Sequence, residues 1–287
     1  MSSNETSRSC AATSRAWALT VALLALLSAP AQANSPYGLF PEHEQVFRHL
    51  EADPRHIQLG AAYYRLQGRD EADIALGHSW GMARWYSNND QWVWQWNLEA
   101  MAYSRFTIGG ALNQFETVDF LAHLPLAARR GPFSTRVMLF HESSHLGDDY
   151  IRRTNDVGFR YSIDGLNGVL SLDAASWARL YAGATYLLHT VPVPARRSAQ
   201  AGFELTSREL GLATDFPMRV FLAQDLQSHE NVRWNVNSRT VAGLQLGFKK
   251  VPRYVRLYGG YFTGHSPYGQ FFSRLEHYAD IGISLLF

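Results

Sequence analysis

Residues Arg136–Tyr150 read RVMLFHESSHLGDDY, and two incompatible folds can be drawn from them. HESSH matches H-E-x-x-H, in which one helical turn brings two histidines and a glutamate to a common face around zinc. On a strand the same letters alternate between faces. Positions 141 and 145 then stand about 13 Å apart, too far to share an ion. Phe133, Thr135, Val137, Leu139, His141, Ser143 and His145 would form one face, and Ser134, Arg136, Met138, Phe140, Glu142 and Ser144 the other. The surroundings decide. No third histidine follows at zinc-peptidase spacing, and no downstream helix offers a ligand glutamate. About eleven other segments alternate with period two. The stretch reads as a strand, and the zinc peptidase is set aside.

Outward from it, the same pattern recurs. In QWVWQWNLEAMA, Trp92, Trp94, Trp96, Leu98, Ala100 and Ala102 alternate with Gln91, Val93, Gln95, Asn97 and Glu99. VRWNVNSRTVAGLQLGF repeats it with Val236, Thr240, Ala242, Leu244 and Leu246 opposite Asn235, Asn237, Arg239 and Gln245. Segments begin near Ile57, Asp73, Gln91, Phe115, Phe133, Phe159, Trp177, Ala201, Met218, Val232, Tyr254 and Glu276. An even set of alternating segments of about 10 residues, separated by turns, is the signature of a bacterial transmembrane β-barrel. Tryptophans flanking Ser87–Asp90 suit the aromatic girdle of such a wall. The last strand, HYADIGISLLF, puts Ile281, Ile283, Leu285 and Phe287 on one face. A terminal strand closing on Phe resembles the signal read by the outer-membrane barrel-assembly machinery, the partner expected for Phe287.

The fold class expected is therefore all-β, an antiparallel transmembrane barrel of about 12 strands over residues 55–287. Residues 1–33 read as a signal peptide: Arg8 and Arg15, then the apolar Trp17–Ser28, then Ala31-Gln32-Ala33. The only cysteine, Cys10, lies inside that leader, so the remainder holds neither disulfide nor Cys-based metal site. Residues 34–54 form an N-terminal periplasmic segment in which Phe40–Pro54 (FPEHEQVFRHLEADP) reads as a short helix capping or partly plugging the barrel mouth, or as a mobile leader. A formal net charge of +1 argues against a nucleic-acid partner.

With both ends periplasmic, short turns are expected at 87–90, 127–132, 173–176 and 249–253, and longer loops after Tyr150 and His189. The polar face carries Arg136, Arg160, Asp164, Arg179, Asp225, Arg233, Arg239, Arg256 and Asp280. Charges are costly in hydrocarbon, so all are expected in the lumen, paired and filling it. Arg136 and Glu142 then mark the inner face of their strand. His141 and Ser143 point outward to lipid near the outer rim.

Two resemblances follow from these residues. Leu50–Gly60, His141–Tyr150, Phe159–Leu166, Phe221–Trp234 and Gly264–Phe272 together resemble a bacterial family of outer-membrane barrels of unknown function. Its core is H-x-S-S-H-L-G-D, with position 142 outside the pattern. The site also resembles outer-membrane phospholipase A: H-x-S on an outward face, with an Asn twelve residues after the Ser, here Asn155. That resemblance implies Ser143 as nucleophile, His141 as base and Asn155 orienting the imidazole; the lipid A deacylase carries a similar H-x-S. This chain departs from both in having Ser144 after the serine, and from the phospholipase in having His145 next. Asp148 and Asp149 stand where an oxygen-liganded calcium could polarise an ester carbonyl. A non-enzymatic barrel, scaffold or narrow channel, is the first reading. A lipid-facing serine esterase acting on outer-membrane lipids is the alternative.

Overall fold

The computed structural model describes residues 37–41, 45–87, 91–109, 113–210, 217–248 and 251–286. A short strand β1 (Tyr37–Leu39) precedes twelve long ones. These are β2 (Leu59–Leu66), β3 (Arg69–Tyr86), β4 (Val93–Ile108), β5 (Gln114–Arg130), β6 (Phe133–Leu146) and β7 (Tyr161–Ala175). They continue as β8 (Ala178–Val191), β9 (Arg197–Thr206), β10 (Met218–His229), β11 (Val236–Phe248), β12 (Val251–His265) and β13 (Leu275–Leu286). Each pairs antiparallel with the next, and β13 pairs with β2, from Asp280↔Tyr64 to Leu285↔Leu59, closing the barrel. β1 lies along the lower half of β3, Tyr37 opposite Trp85, below the point where β2 ends. Closure leaves the twelve-strand wall without a free edge, as hydrocarbon requires. No described helix is long and apolar enough to cross a membrane.

The alternation read from the sequence decides which face is which. On β4, Gln95, Asn97 and Glu99 are buried inside while Trp96 and Leu98 are exposed outside. On β13, Tyr278, Asp280 and Ser284 are buried while Ile281 and Ile283 face out. Exposed leucines, valines and aromatics continue around the exterior, among them Leu76, Phe120, Val137, Leu139, Leu170 and Val220. This is the apolar band of an outer-membrane barrel in contact with membrane lipid. The lumen, by contrast, is filled with paired charges. Arg105 forks to Glu276 at 2.7 and 2.9 Å, Arg179 meets Glu204 at 3.0 Å, and Arg239 meets Asp280 at 2.5 Å.

Three of the charges expected there lie elsewhere. Arg160 is exposed in the loop before β7, and Arg233 closes a 3-10 turn at Glu230–Val232 in the left-handed conformation. Asp164 shares its strand face with the exposed Leu166 and Leu170, so it points outward. Arg136, Arg179, Asp225, Arg239, Arg256 and Asp280 are buried inside as expected. The loop after β8 is short, whereas 147–160 is long and contains α1 (Asp148–Thr154). The longest connection at the end bearing the termini runs from Thr206 to Met218, where no long loop is expected from the sequence. The expected leader, Cys10, and Phe287 lie outside the described residues.

Among the described residues the expected helix does not form: residues 45–58 follow an irregular path up into the lumen and back. At the lower end, Gln45 meets Gln95 and Asn97. At the apex, Asp53 accepts Gln200 and Gln227, and Arg55 reaches Asp119 and Glu142 near the outer ends of β5 and β6. Gln58 then returns to Arg256. The segment needs no helical hydrogen bonds because barrel side chains supply partners for its backbone. Arg129 donates to Val46 O, Arg179 to the carbonyls of Arg48 and His49, Arg256 to Glu51 O, and Glu51 N donates to Glu204. Val46, Phe47 and Leu50 pack on Ala127, Val169 and Tyr181, with Arg136 and Arg179 over the Phe47 ring. The segment is a plug. Above it lies a cavity of about 220 Å³ floored by Asp53, Pro54 and Arg55; below it another of about 620 Å³ is bounded by Arg48, His49 and Glu51.

Candidate functional site

The strand that spells HESSH is β6, running toward the outer rim between β5 and β7. Its parity sorts the motif H-x-S-S-H-L-G-D into two sets. Ser144 faces inward and is fixed there: its hydroxyl donates to Asp119, and Gln270 N donates to it at 2.9 Å. The Gln270 amide also donates to Ser144 O at 2.8 Å, and Gly269 N to Asp119 at 3.0 Å. The loop SPYGQFF is thereby tied to the inner face of β6. Glu142, also inward, takes Arg55 of the plug at 2.9 Å. Leu146 packs against the cluster of Tyr150, Tyr268 and Phe271. Gly147 precedes α1 and lies so close to the Phe115 carbonyl that a side chain there would collide with it. Asp149 accepts the Phe115 N–H at 3.0 Å. These residues hold the rim together.

His141, Ser143 and His145 form the other set, and packing gives them no such task. All three project from the lipid-facing surface. His141 Nδ1 lies 2.8 Å from Asp164 Oδ1, the side chain directly opposite it on β7. Both side chains are about half exposed, at 50% and 42%. Ser143 stands two residues further along the same face, between Phe120 of β5 and Ser162 of β7. His145 sets its ring 6.0 Å from that of Phe120. His189 lies opposite Asp164 on the far side, on β8.

Of the residues implied by resemblance, His141 and Ser143 are brought to one face and Asn155 is not brought to them. Asn155 ends α1 in the left-handed conformation, its N–H donating to Ile151 O, and is exposed. Asp164, expected in the lumen, stands beside His141 instead. Parity alone could have found it, because Asp164, Leu166 and Leu170 alternate on one face. The assumption that every charge turns inward hid it. A carboxylate near the rim costs far less than one at mid-membrane, so the parity wins.

The calcium expectation fares differently on its donors. Asp148 and Asp149 sit in the first turn of α1, both facing Arg152 at 3.9 and 3.3 Å, and Asp149 also accepts a backbone N–H. A guanidinium and an N–H already answer their charge. No group of three or more His, Cys, Asp or Glu side chains suited to a metal gathers among the described residues. The donor set does not fit a calcium site.

A neutral imidazole whose Nδ1–H is held by a carboxylate offers Nε2 as an acceptor, which is what a neighbouring serine hydroxyl needs to become a nucleophile. The outward face thus brings an imidazole with a carboxylate beside it, and a hydroxyl, to one strand near its outer end.

Solved structures share the fold. The Salmonella typhi outer membrane phospholipase (OMPLA), a dimer with bound calcium, superposes with a TM-score of 0.55 at 12% identity, covering 84% of this chain and 95% of that one. Outer membrane phospholipase A from Escherichia coli gives 0.53 at 14% identity, covering 82% and 93%. At such identities the likeness is one of fold. No curated protein sequence matches this chain. The model of the family described as "Protein of unknown function (DUF1207)" matches residues 16–287, almost the whole length, and the chain belongs to that family.

Proposed function

We propose that this outer-membrane barrel is an acyl hydrolase that cleaves ester bonds of membrane lipids from its outer wall. The observation that carries the reading is the 2.8 Å contact between His141 and Asp164, on the same lipid-facing surface as Ser143. Ser143 Oγ would attack the ester carbonyl while His141 Nε2 takes the hydroxyl proton; Asp164 holds the imidazolium that forms. His141 then returns the proton to the departing alcohol, leaving an acyl-serine. Water, deprotonated by the same imidazole, attacks that ester, and the proton passes back to Ser143 as the fatty acid leaves. Ser162, in register with Ser143, is the side-chain donor assigned to the developing oxyanion. Asn155 has no part in the reading, and calcium none. Insertion of β13 by the barrel-assembly machinery belongs to the same proposal.

The test is fatty-acid release from phospholipid and lipid A vesicles by the reconstituted protein. Release lost in Ser143→Ala and unchanged by a calcium chelator is the expected result. Equal release by wild type and Ser143→Ala, or none from either, sinks it. The plug favours a second reading, a closed scaffold without activity, because it lies across the lumen with a cavity above it and another below it. The scaffold reading expects silence in planar-bilayer conductance; steady channels would contradict it.

A further inference from the structure

The wall on the two sides of Ser143 differs in chemistry. Toward β7 and β8 its neighbours are Ser162, Asp164 and His189. Toward β5 the register runs Ser143–Phe120–Ala102–Leu76–Leu59, one residue per strand from β6 to β2. The adjoining row, His141–Ala122–Ala100–His78, is low because two of its four members are alanines. Together they leave an open trough of about 440 Å³, with Ala100 and Ala102 in its floor and Leu59, Leu76, Trp80 and Phe120 in its walls.

The trough also descends. Ser143 lies three residues from the outer end of β6, whereas Leu76 lies seven from the outer end of β3. Four strand spacings of about 4.8 Å carry the row about 19 Å from the serine, toward mid-membrane. An amphiphile placed with its ester carbonyl at Ser143 would have its polar part beside Asp164 and His189 at the rim. Its apolar tail would have a channel leading down that is apolar apart from His78.

We propose that this trough holds the fatty acyl chain of the ester presented to Ser143, making Ala100, Ala102 and Phe120 determinants of acyl-chain length. The inference rests on the acyl-hydrolase reading, and its test is built to fail separately. Ala102→Phe fills the floor without touching the dyad, and Ala100→Leu does so more gently should the first variant fold poorly; heat-modifiable migration verifies each barrel. Vesicles of phosphatidylcholine, or of lipid A, with mixed chain lengths are the substrate. Wild type should favour long chains, and the variants should lower long- relative to short-chain release by about tenfold, the scale of a misfit in an apolar pocket. An unchanged chain profile, with Ser143→Ala still inactive, overturns the trough and leaves the hydrolase. A photo-crosslinking phosphatidylcholine with a diazirine at the chain end gives a readout independent of turnover. Adducts on residues 76–80 and 98–102, reduced by Ala102→Phe, support the trough even if no hydrolysis occurs. Adducts spread evenly around the exterior overturn it.

Discussion

Replacing Asp164 by alanine tests the site at its most informative point. The carboxylate contributes one charge-assisted hydrogen bond, 2.8 Å long, to His141 Nδ1. Such bonds are worth about 1.5–3 kcal/mol when sheltered. With both partners about half exposed, screening reduces this to about 1–2 kcal/mol. If the bond is needed only when His141 becomes charged, its loss falls on kcat, by about five- to thirtyfold. KM should change little, since Asp164 lies away from the acyl chain. Asp164→Asn should recover less than the geometry alone suggests, because a neutral amide accepts the Nδ1–H without stabilising the imidazolium. Asn155→Ala supplies the contrast: at the end of α1 its removal should leave kcat within about twofold. Initial rates of fatty-acid release from reconstituted vesicles, normalised to folded barrel by heat-modifiable migration, would measure all three. A kcat unchanged in Asp164→Ala but reduced in Asn155→Ala would refute the assignment and return the orienting role to the sequence-implied residue.

The plug yields two further expectations. Arg256 donates to the Glu51 carbonyl, the Glu51 carboxylate and Gln58, so Arg256→Ala leaves that buried carboxylate with only the neutral donors Gln245 and Tyr254; loosening of 45–58 by about 2–4 kcal/mol is expected, read as faster amide exchange there. Unchanged exchange across 45–58 would show that the plug does not depend on this pair. Burial, followed by the charges of Arg256, Arg179 and Arg136, holds His49 well below the usual histidine range, and burial, His49, Arg136, Arg179 and His123 do the same for His56. The docked plug therefore excludes protons that the released plug accepts. Its hold is full above about pH 6.5 and weakens as pH falls from there toward the depressed values. Amide exchange in 45–58 should be faster at pH 5 than at pH 8, with the strands unchanged; equal protection at both would count against buried neutral imidazoles.

The barrel was legible because hydrocarbon outside and paired charge inside impose period two on every strand. Trp96 and Leu98 against Gln95, Asn97 and Glu99 carry that contrast in five consecutive residues. A cap or partial plug was legible, but as a helix, and its actual path was not. Val46, Phe47 and Leu50 have helical spacing, but a segment this short gains little from an isolated helix. Partners distant in sequence, Arg129, Arg179, Glu204 and Arg256, decide its path, and no local pattern announces them. His141 and Ser143 were legible from parity. Asp164 had the right parity as well, and a general rule about buried charge overrode it. Ser144 and Gly147 could be named as part of a motif from sequence, but their structural task depends on Gln270, Phe115 and Asp119, brought close only by closure.

Those structural tasks bear on why the motif has the length it has. A barrel wall one residue thick must use alternate positions for opposite purposes. Ser144 and Glu142 fasten β6 to the apical loop and to Arg55 of the plug, while His141, Ser143 and His145 are left to face lipid. The inner set holds the backbone that carries the outer set. Two imidazoles and a hydroxyl among Phe120, Leu139 and Leu166 give up apolar contact with lipid and contribute no inward fastening. A merely structural strand would be better served there by leucine or valine, as at Val137 and Leu139 on the same face. The N-terminal segment fills the lumen, and on the outer surface of β6 the described polar contact of this set is that of His141 with Asp164. The hydrolase reading gives that distribution a use, and Ser143→Ala is the change that tests it.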